Sequence, residues 1–124
     1  MLQYKKQIDA NKKHVDVSVS VISFIDDNTH IIYCPALDLS GYGIDETDAK
    51  ASFDLTLTEY LSYTFSKGTI WSDLKSLGWN IKKTKTAIPP LMKNLLNTNK
   101  EFSRIFDNYP FKKFNTNIAI PAIA

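Results

Sequence analysis

The sequence predicts an α+β fold, in which an antiparallel sheet of three to four strands is covered by one long helix. Residues Val15–Phe24 alternate between apolar and polar side chains, as a half-buried strand does. Two further runs, Thr29–Cys34 and Leu39–Ile44, are rich in strand-forming residues and continue a meander. Apolar residues then recur at spacings of three and four between Asp45 and Ser66, the period of an amphipathic helix.

The first strand has two different faces. One face carries valine at positions 15, 17, 19 and 21, whereas the other begins with Asp16, Ser18 and Ser20. This second face becomes apolar at Ile22 and Phe24. The sequence therefore predicts that the far end of the strand is covered on both sides.

The turns between the strands follow from local chemistry. Asp26-Asp27-Asn28 supplies short polar side chains that bond to nearby backbone and tolerate positive φ, which predicts a hairpin. Pro35 either stops the second strand or places its end at a sheet edge. Gly41 and Gly43 permit another backbone to approach the third strand closely.

The long helix carries signals at both ends. Asp45 is the predicted N-cap, and Gly68 is the predicted C-terminal cap. One apolar stripe, which must cover the inner face of the sheet, comprises Ala49, Phe53, Leu57, Tyr60, Leu61 and Thr64.

The sequence after the long helix predicts shorter helices and strands, which gives the order β-β-β-α-α-β. Residues 69–77 form a second helix that Gly78 ends, and Trp79–Lys83 alternates as a fourth strand. We divide the chain into a domain over residues 1–83 and an extension over residues 84–124. The extension either packs on the same domain or mediates dimerisation.

Two short C-terminal helices and a terminal edge strand are predicted in the extension. Leu91–Leu96 suggests the first helix, and Thr98 with Glu101 matches a capping box that opens the second. Phe114–Pro121 alternates as a strand, and its proline confines the strand's end to a sheet edge. An edge strand of this kind can pair with another chain.

Composition indicates an ordinary globular protein. The 124 residues suffice for one core, and 44% are hydrophobic against 23% charged. No apolar run approaches the roughly 18 residues of a membrane-spanning helix, so we expect no membrane span. Met1–Lys6 has no apolar run behind it, and Cys34 is the single cysteine, so we expect the reducing cytoplasm.

The charge is uneven along the chain. Residues 1–86 carry 10 basic and 11 acidic side chains, whereas residues 87–124 carry five basic and two acidic ones. A solvated basic face is the simpler interpretation. A nucleic-acid-binding module is the alternative, and its candidate residues are Lys82, Lys83, Lys85, Lys112 and Lys113.

Catalytic and cofactor motifs are weak, so we predict no enzyme, no cofactor and no resident metal. His14 and His30 match no metal-ligand spacing, and Gly41-Tyr42-Gly43 lacks the last glycine of a dinucleotide fingerprint. Asp26, Asp27 and Asp38 are an alternative Mg²⁺ site if they gather at strand ends, although turn formation explains them more simply.

The string from Ile31 to Gly43 resembles the HicB family of antitoxins. In that family a strand runs into a short proline turn, a third strand and an acidic helix start. The matching positions are Pro35, Leu37 and Gly41 in the turn, and Asp45, Asp48 and Ala49 at the helix start. The resemblance covers about residues 15–66.

The resemblance implies a partial ribonuclease-H-like fold without catalytic acids, acting by protein binding. Its expected partner is a small basic toxin that cleaves messenger RNA and is inhibited by occlusion. We also expect a homo-oligomer, a dimer or tetramer. Typical members add a DNA-binding motif, which residues 84–124 do not match, so DNA binding stays open. The candidate partner-binding residues are Tyr33, Pro35, Leu37, Asp38 and Tyr42.

Overall fold

The structure, a computed structural model, describes residues 14–82 and 87–121 and has the predicted α+β architecture. The strands are β1 His14–Asp26, β2 Thr29–Cys34, β3 Leu39–Gly43, β4 Asn80–Ile81, β5 Ala87–Ile88 and β6 Lys112–Pro121. The helices are α1 Glu46–Lys67, α2 Ile70–Ser76, α3 Met92–Thr98 and α4 Lys100–Asn108. The proposed boundary between residues 83 and 84, and the segment Met1–Lys6, lie outside the described residues.

The main sheet is antiparallel and has the strand order β3-β2-β1-β6. The terminal strand is therefore at a sheet edge, as predicted. The strand predicted over Trp79–Lys83 is found as β4, which pairs with β5 in a separate two-stranded sheet. Pro35 ends β2, but β2 is an internal strand, so the edge alternative for this proline was wrong.

The register places two sets of side chains on opposite faces of the sheet. Ser23 pairs with Ile32, which pairs with Gly41, so these three lie on the face that α1 covers. Ile22 and Tyr33 form the next pair along the two strands, and their side chains lie on the other face. The sheet is consequently the middle layer between α1 and the C-terminal helices.

The predicted two-sided covering of β1 is confirmed. Ile22 is completely buried and Phe24 nearly so. The ring of Tyr109, just after α4, packs on Phe24 with centroids 5.1 Å apart. Phe102 and Ile105 of α4 are buried in the same core, so α4 and its end cover the second face.

Both predicted caps of α1 are confirmed. The Asp45 carboxylate accepts a hydrogen bond of 2.8 Å from the Asp48 N–H, and Gly68 adopts a left-handed φ of 71°. The helix lies so close to β3 that a Cβ on Gly41 would be 2.2 Å from the backbone nitrogen of Phe53. The glycines of β3 thus allow the close packing that the sequence predicts.

The capping box predicted at Thr98 was wrong. Thr98 is the last residue of α3, and its Oγ1 donates to the Asn94 carbonyl at 3.2 Å. Asn99 is the N-cap of α4, because its backbone is extended and its Oδ1 accepts from the Phe102 N–H at 3.0 Å. A single extended residue separates the two helices, so only Asn99 has the backbone conformation that a cap requires.

We expect Gly41→Ala to destabilise the protein by about 3 kcal/mol, the upper end of overpacking costs, because the new Cβ meets backbone rather than a movable side chain. Ser40→Ala, on the opposite face of the same strand, is the control and should change stability by less than about 0.5 kcal/mol. Urea unfolding of both variants measures the difference. Equal midpoints for Gly41→Ala and the wild type would show that α1 does not pack this closely.

Candidate functional site

The turn between β2 and β3 is held by hydrogen bonds within the turn and from distant parts of the chain. The Leu37 N–H donates to the Cys34 carbonyl at 3.3 Å, which closes the turn. Asp38 then takes a left-handed φ of 54°, a conformation that short polar residues tolerate. The chain thereby reverses within four residues and enters β3.

Two side chains from distant elements hold this turn. The Trp79 indole N–H donates to the Ala36 carbonyl at 2.8 Å. The Asn99 amide donates to the Pro35 carbonyl at 3.3 Å and to the Tyr33 hydroxyl at 2.9 Å. These bonds satisfy backbone carbonyls that the turn leaves without strand partners, so the turn is rigid.

The Tyr33 hydroxyl connects the turn to α4. It donates to Asp38 Oδ1 at 2.6 Å while it accepts from Asn99. Burial, and then the hydrogen bond to the Asp38 carboxylate, raise the pKa of Tyr33 above its ordinary value. The phenol therefore stays neutral and keeps donating to Asp38 throughout the physiological pH range.

The structure separates the five candidate partner-binding residues into two groups. Tyr33, Pro35 and Leu37 are buried in the chain's own core. Asp38 and Tyr42 are exposed, and the Tyr42 side chain is 55% accessible. The buried three shape the surface from below, and the exposed two are the ones able to contact another molecule.

Asp38 and Tyr42 belong to a concave surface of about 380 Å³ between α4 and the face of β2 and β3. We call this surface the acidic concavity, and it is lined by Asp26, Tyr33, Asp38, Tyr42, Glu101 and Arg104, with a floor that includes Phe24 and Ile31. Three of the predicted partner-binding residues thus share this surface with Glu101 and Arg104 of α4, which the sequence did not assign to binding.

The charge of the acidic concavity is opposite to that of the chain. Asp26, Asp38 and Glu101 contribute three carboxylates against the single guanidinium of Arg104. That guanidinium is already paired with Glu101, to which its Nε donates at 3.0 Å. The surface is therefore locally acidic on a chain whose formal charge is +2.

The aspartates considered for Mg²⁺ serve as turn residues. Asp27 and Asn28 have positive φ values of 50° and 65°, which confirms the predicted hairpin turn. Among residues 14–82 and 87–121, no group of three or more histidine, cysteine, aspartate or glutamate side chains has the geometry to hold a metal ion.

A second concave surface, the sheet-end groove, has a volume of about 400 Å³ and opens beside the β1–β2 turn. Its walls include Ile25, His30 and Phe111, and Ile25 is 54% exposed. Glu46 lies at one side and accepts hydrogen bonds from Lys112 Nζ at 2.7 Å and Ser23 Oγ at 2.9 Å. The sequence did not predict this groove, because its walls come from four separate segments.

The candidate nucleic-acid-binding lysines are not gathered into one surface among the described residues. Lys112 and Lys113 are exposed but project from opposite faces of β6, and Lys112 is paired with Glu46. Lys82 is exposed, while Lys83 and Lys85 lie outside the described residues. The nucleic-acid alternative stays a prediction.

Comparisons with protein-family models, with curated proteins and with solved structures found no match. No helix within residues 14–82 and 87–121 has the length and apolarity needed to cross a membrane. The acidic concavity combines a hydrogen-bonded turn with an exposed tyrosine, and it is the surface on which we base a proposed function.

We expect Asn99→Ala to destabilise the protein by about 2 kcal/mol, because it removes a helix cap and a hydrogen bond to buried Tyr33. Thr98→Ala removes the neighbouring hydroxyl and should cost no more than about 0.5 kcal/mol. Chemical denaturation compares the two. If Thr98→Ala proves the more damaging change, the assignment of Asn99 as the cap is wrong.

Glu46 makes the stability of the folded protein depend on pH. The hydrogen bond from Lys112, and then that from Ser23, lower the pKa of this carboxyl from 4.5 to about 2. A lowered folded-state pKa stabilises the protein above pH 4.5, and this contribution is lost as the pH falls towards 2.

Glu46→Gln should therefore be less stable than wild type at pH 7, and the two stabilities should converge between pH 4.5 and 2. Denaturant titrations at several pH values measure this. Glu59→Gln, on the exposed surface of α1, is the control and should show no such convergence. A constant difference between Glu46→Gln and wild type would contradict the assignment.

Proposed function

We propose that this chain is a non-catalytic, HicB-like binding protein of the cytoplasm that covers a small basic partner with its acidic concavity. The partner expected from the resemblance is an mRNA-cleaving toxin, which the chain inhibits by occlusion. The observation that carries the proposal is the excess of carboxylates, three against the one guanidinium of Arg104, around an exposed tyrosine on a concave support.

Charge supports a basic partner. Asp26, Asp38 and Glu101 outnumber the single guanidinium of Arg104, and this excess of carboxylates complements lysine and arginine side chains through charge-assisted hydrogen bonds. A local field of one sign also accelerates the association of an oppositely charged partner and disfavours like-charged ones. The surface therefore selects a partner by charge before close contact is made.

Tyr42 supplies an anchor for close contact. It is a large exposed side chain of β3, and it lines the acidic concavity. Tyrosine is among the residues that most often dominate binding energy at interfaces. Its ring also attracts a cation placed over its face, which matches a basic partner.

The buried residues of the motif provide preorganisation. Tyr33 and Asn99 fix Asp38 and the start of α4 relative to each other, and Trp79 holds the turn from the other side. A surface that is already rigid loses little conformational freedom on binding. The turn residues Pro35 and Leu37 therefore contribute to binding by maintaining shape.

The test is co-expression with the protein encoded next to this chain. Alone, that neighbour should arrest growth, and wild-type chain should restore growth and co-purify with it. Tyr42→Ala should weaken binding by roughly 30-fold, equivalent to about 2 kcal/mol, as truncation of a central anchor does. Calorimetry on the purified proteins measures the dissociation constant.

Two double variants, each of which removes two negative charges, distinguish the effect of the acidic concavity on binding from that of the overall charge. Asp26→Asn with Glu101→Gln should slow association and flatten its salt dependence, whereas Asp54→Asn with Glu59→Gln, on the exposed side of α1, should do neither. The proposal fails if no small basic partner binds, or if both double variants bind as the wild type does.

A further inference from the structure

The two edges of the main sheet are protected to different extents. At the β3 edge, the Tyr42 N–H donates to Ser52 Oγ at 3.1 Å, and the Ile44 N–H donates to Asp48 Oδ2 at 3.0 Å. Side chains of α1 thus already accept hydrogen bonds from backbone N–H groups that an added strand would need. At the other edge lies β6, and no strand of the described residues pairs with its outer side.

The middle of strand β6 lacks the usual protection of an exposed edge. Proteins prevent edge pairing with lysines, prolines or bulges within the strand. Here the lysines are at positions 112 and 113 and the proline is at position 121, so both devices lie at the ends. The register with β1 is continuous over all ten residues and contains no bulge. The central residues, Phe114–Ala119, are uncharged.

We propose that a second copy of this chain occupies this edge, with β6 pairing antiparallel to the partner's β6 about a twofold axis at Thr116. Two four-stranded sheets then form one continuous eight-stranded sheet. Such a contact is isologous, since the same strand is used by both copies. At alternate residues of β6, the backbone N–H and C=O groups point away from β1. In the dimer these groups gain hydrogen-bond partners on the second copy.

The side chains are self-complementary in this register. Asn115 lies opposite the partner's Asn117 on the exposed face, and Thr116 lies opposite its own copy on the face that α1 covers. Lys112 and Lys113 lie opposite uncharged residues at the far end of the partner strand, so like charges do not face each other. The strand therefore matches a second copy of itself in both polarity and charge.

Ile118 and Ile120 of β6 do not form this interface. Ile118 and Ile120 are buried in the chain's own core and have almost no free surface to offer a partner. Backbone hydrogen bonds and the polar residues 115–117 form the contact instead. The dimer interface is also at the opposite edge of the sheet from Tyr42. Both interactions fit on one molecule, because the acidic concavity is lined by residues between 24 and 42 and between 101 and 105, none of which belongs to β6.

Sedimentation of the full chain tests the proposal, with a mass twice 14.1 kDa expected. Asn115→Lys with Asn117→Lys places lysines opposite lysines and should weaken the dimer at least 10-fold, and the corresponding double glutamate variant should do the same. Mixing the two variants should restore a dimer that contains one copy of each. Ser18→Lys, on the same exposed face but on β1, is the control and should leave the dimer intact.

Thr116→Cys provides a positive readout, because cross-strand positions on a twofold axis are close enough for a disulfide. The native Cys34 is buried and will not compete. Mild oxidation should link Thr116→Cys chains and leave the exposed Thr47→Cys control unlinked. A monomer at all concentrations, a dimer indifferent to both charge variants, or a dimer formed only after deletion of residues 1–13 would overturn the proposal.

Discussion

Strand β1 is apolar on both faces at one end, and the rest of the structure depends on covering those two faces. Val19 and Val21 require a layer on one side, and Ile22 and Phe24 require one on the other. Leaving either pair exposed would cost roughly 1.5–3 kcal/mol for each side chain. Helix α1 supplies the first layer and the C-terminal helices supply the second.

The second layer also creates the candidate binding surface. Because α4 must lie on the face that carries Phe24 and Tyr33, its polar side faces the exposed part of the same sheet surface. Glu101 and Arg104 come from that polar side and form one wall of the acidic concavity. Core packing and the proposed function are therefore linked through the position of one short helix.

Asn99 shows how closely local and long-range interactions are joined here. Its Oδ1 caps α4, while its amide nitrogen binds Tyr33 and the Pro35 carbonyl from 66 and 64 residues away. The capping pattern at Thr98 and Glu101 correctly marked a helix start but not the residue that caps it. Sequence spacing identifies a cap to within about one residue, and the tertiary contact of Asn99 decides which residue has the extended backbone.

The sequence by itself determined the elements whose signals are local. Each of these signals involves only residues a few positions apart in the sequence. They are the alternation in β1, the turn at Asp27, and the caps Asp45 and Gly68. Only the tertiary structure decided that β6 lies beside β1, that β4 belongs to a separate small sheet, and that Glu101 and Asp38 line the same concave surface. Those outcomes depend on the summed packing of segments far apart in the chain, which no local pattern contains.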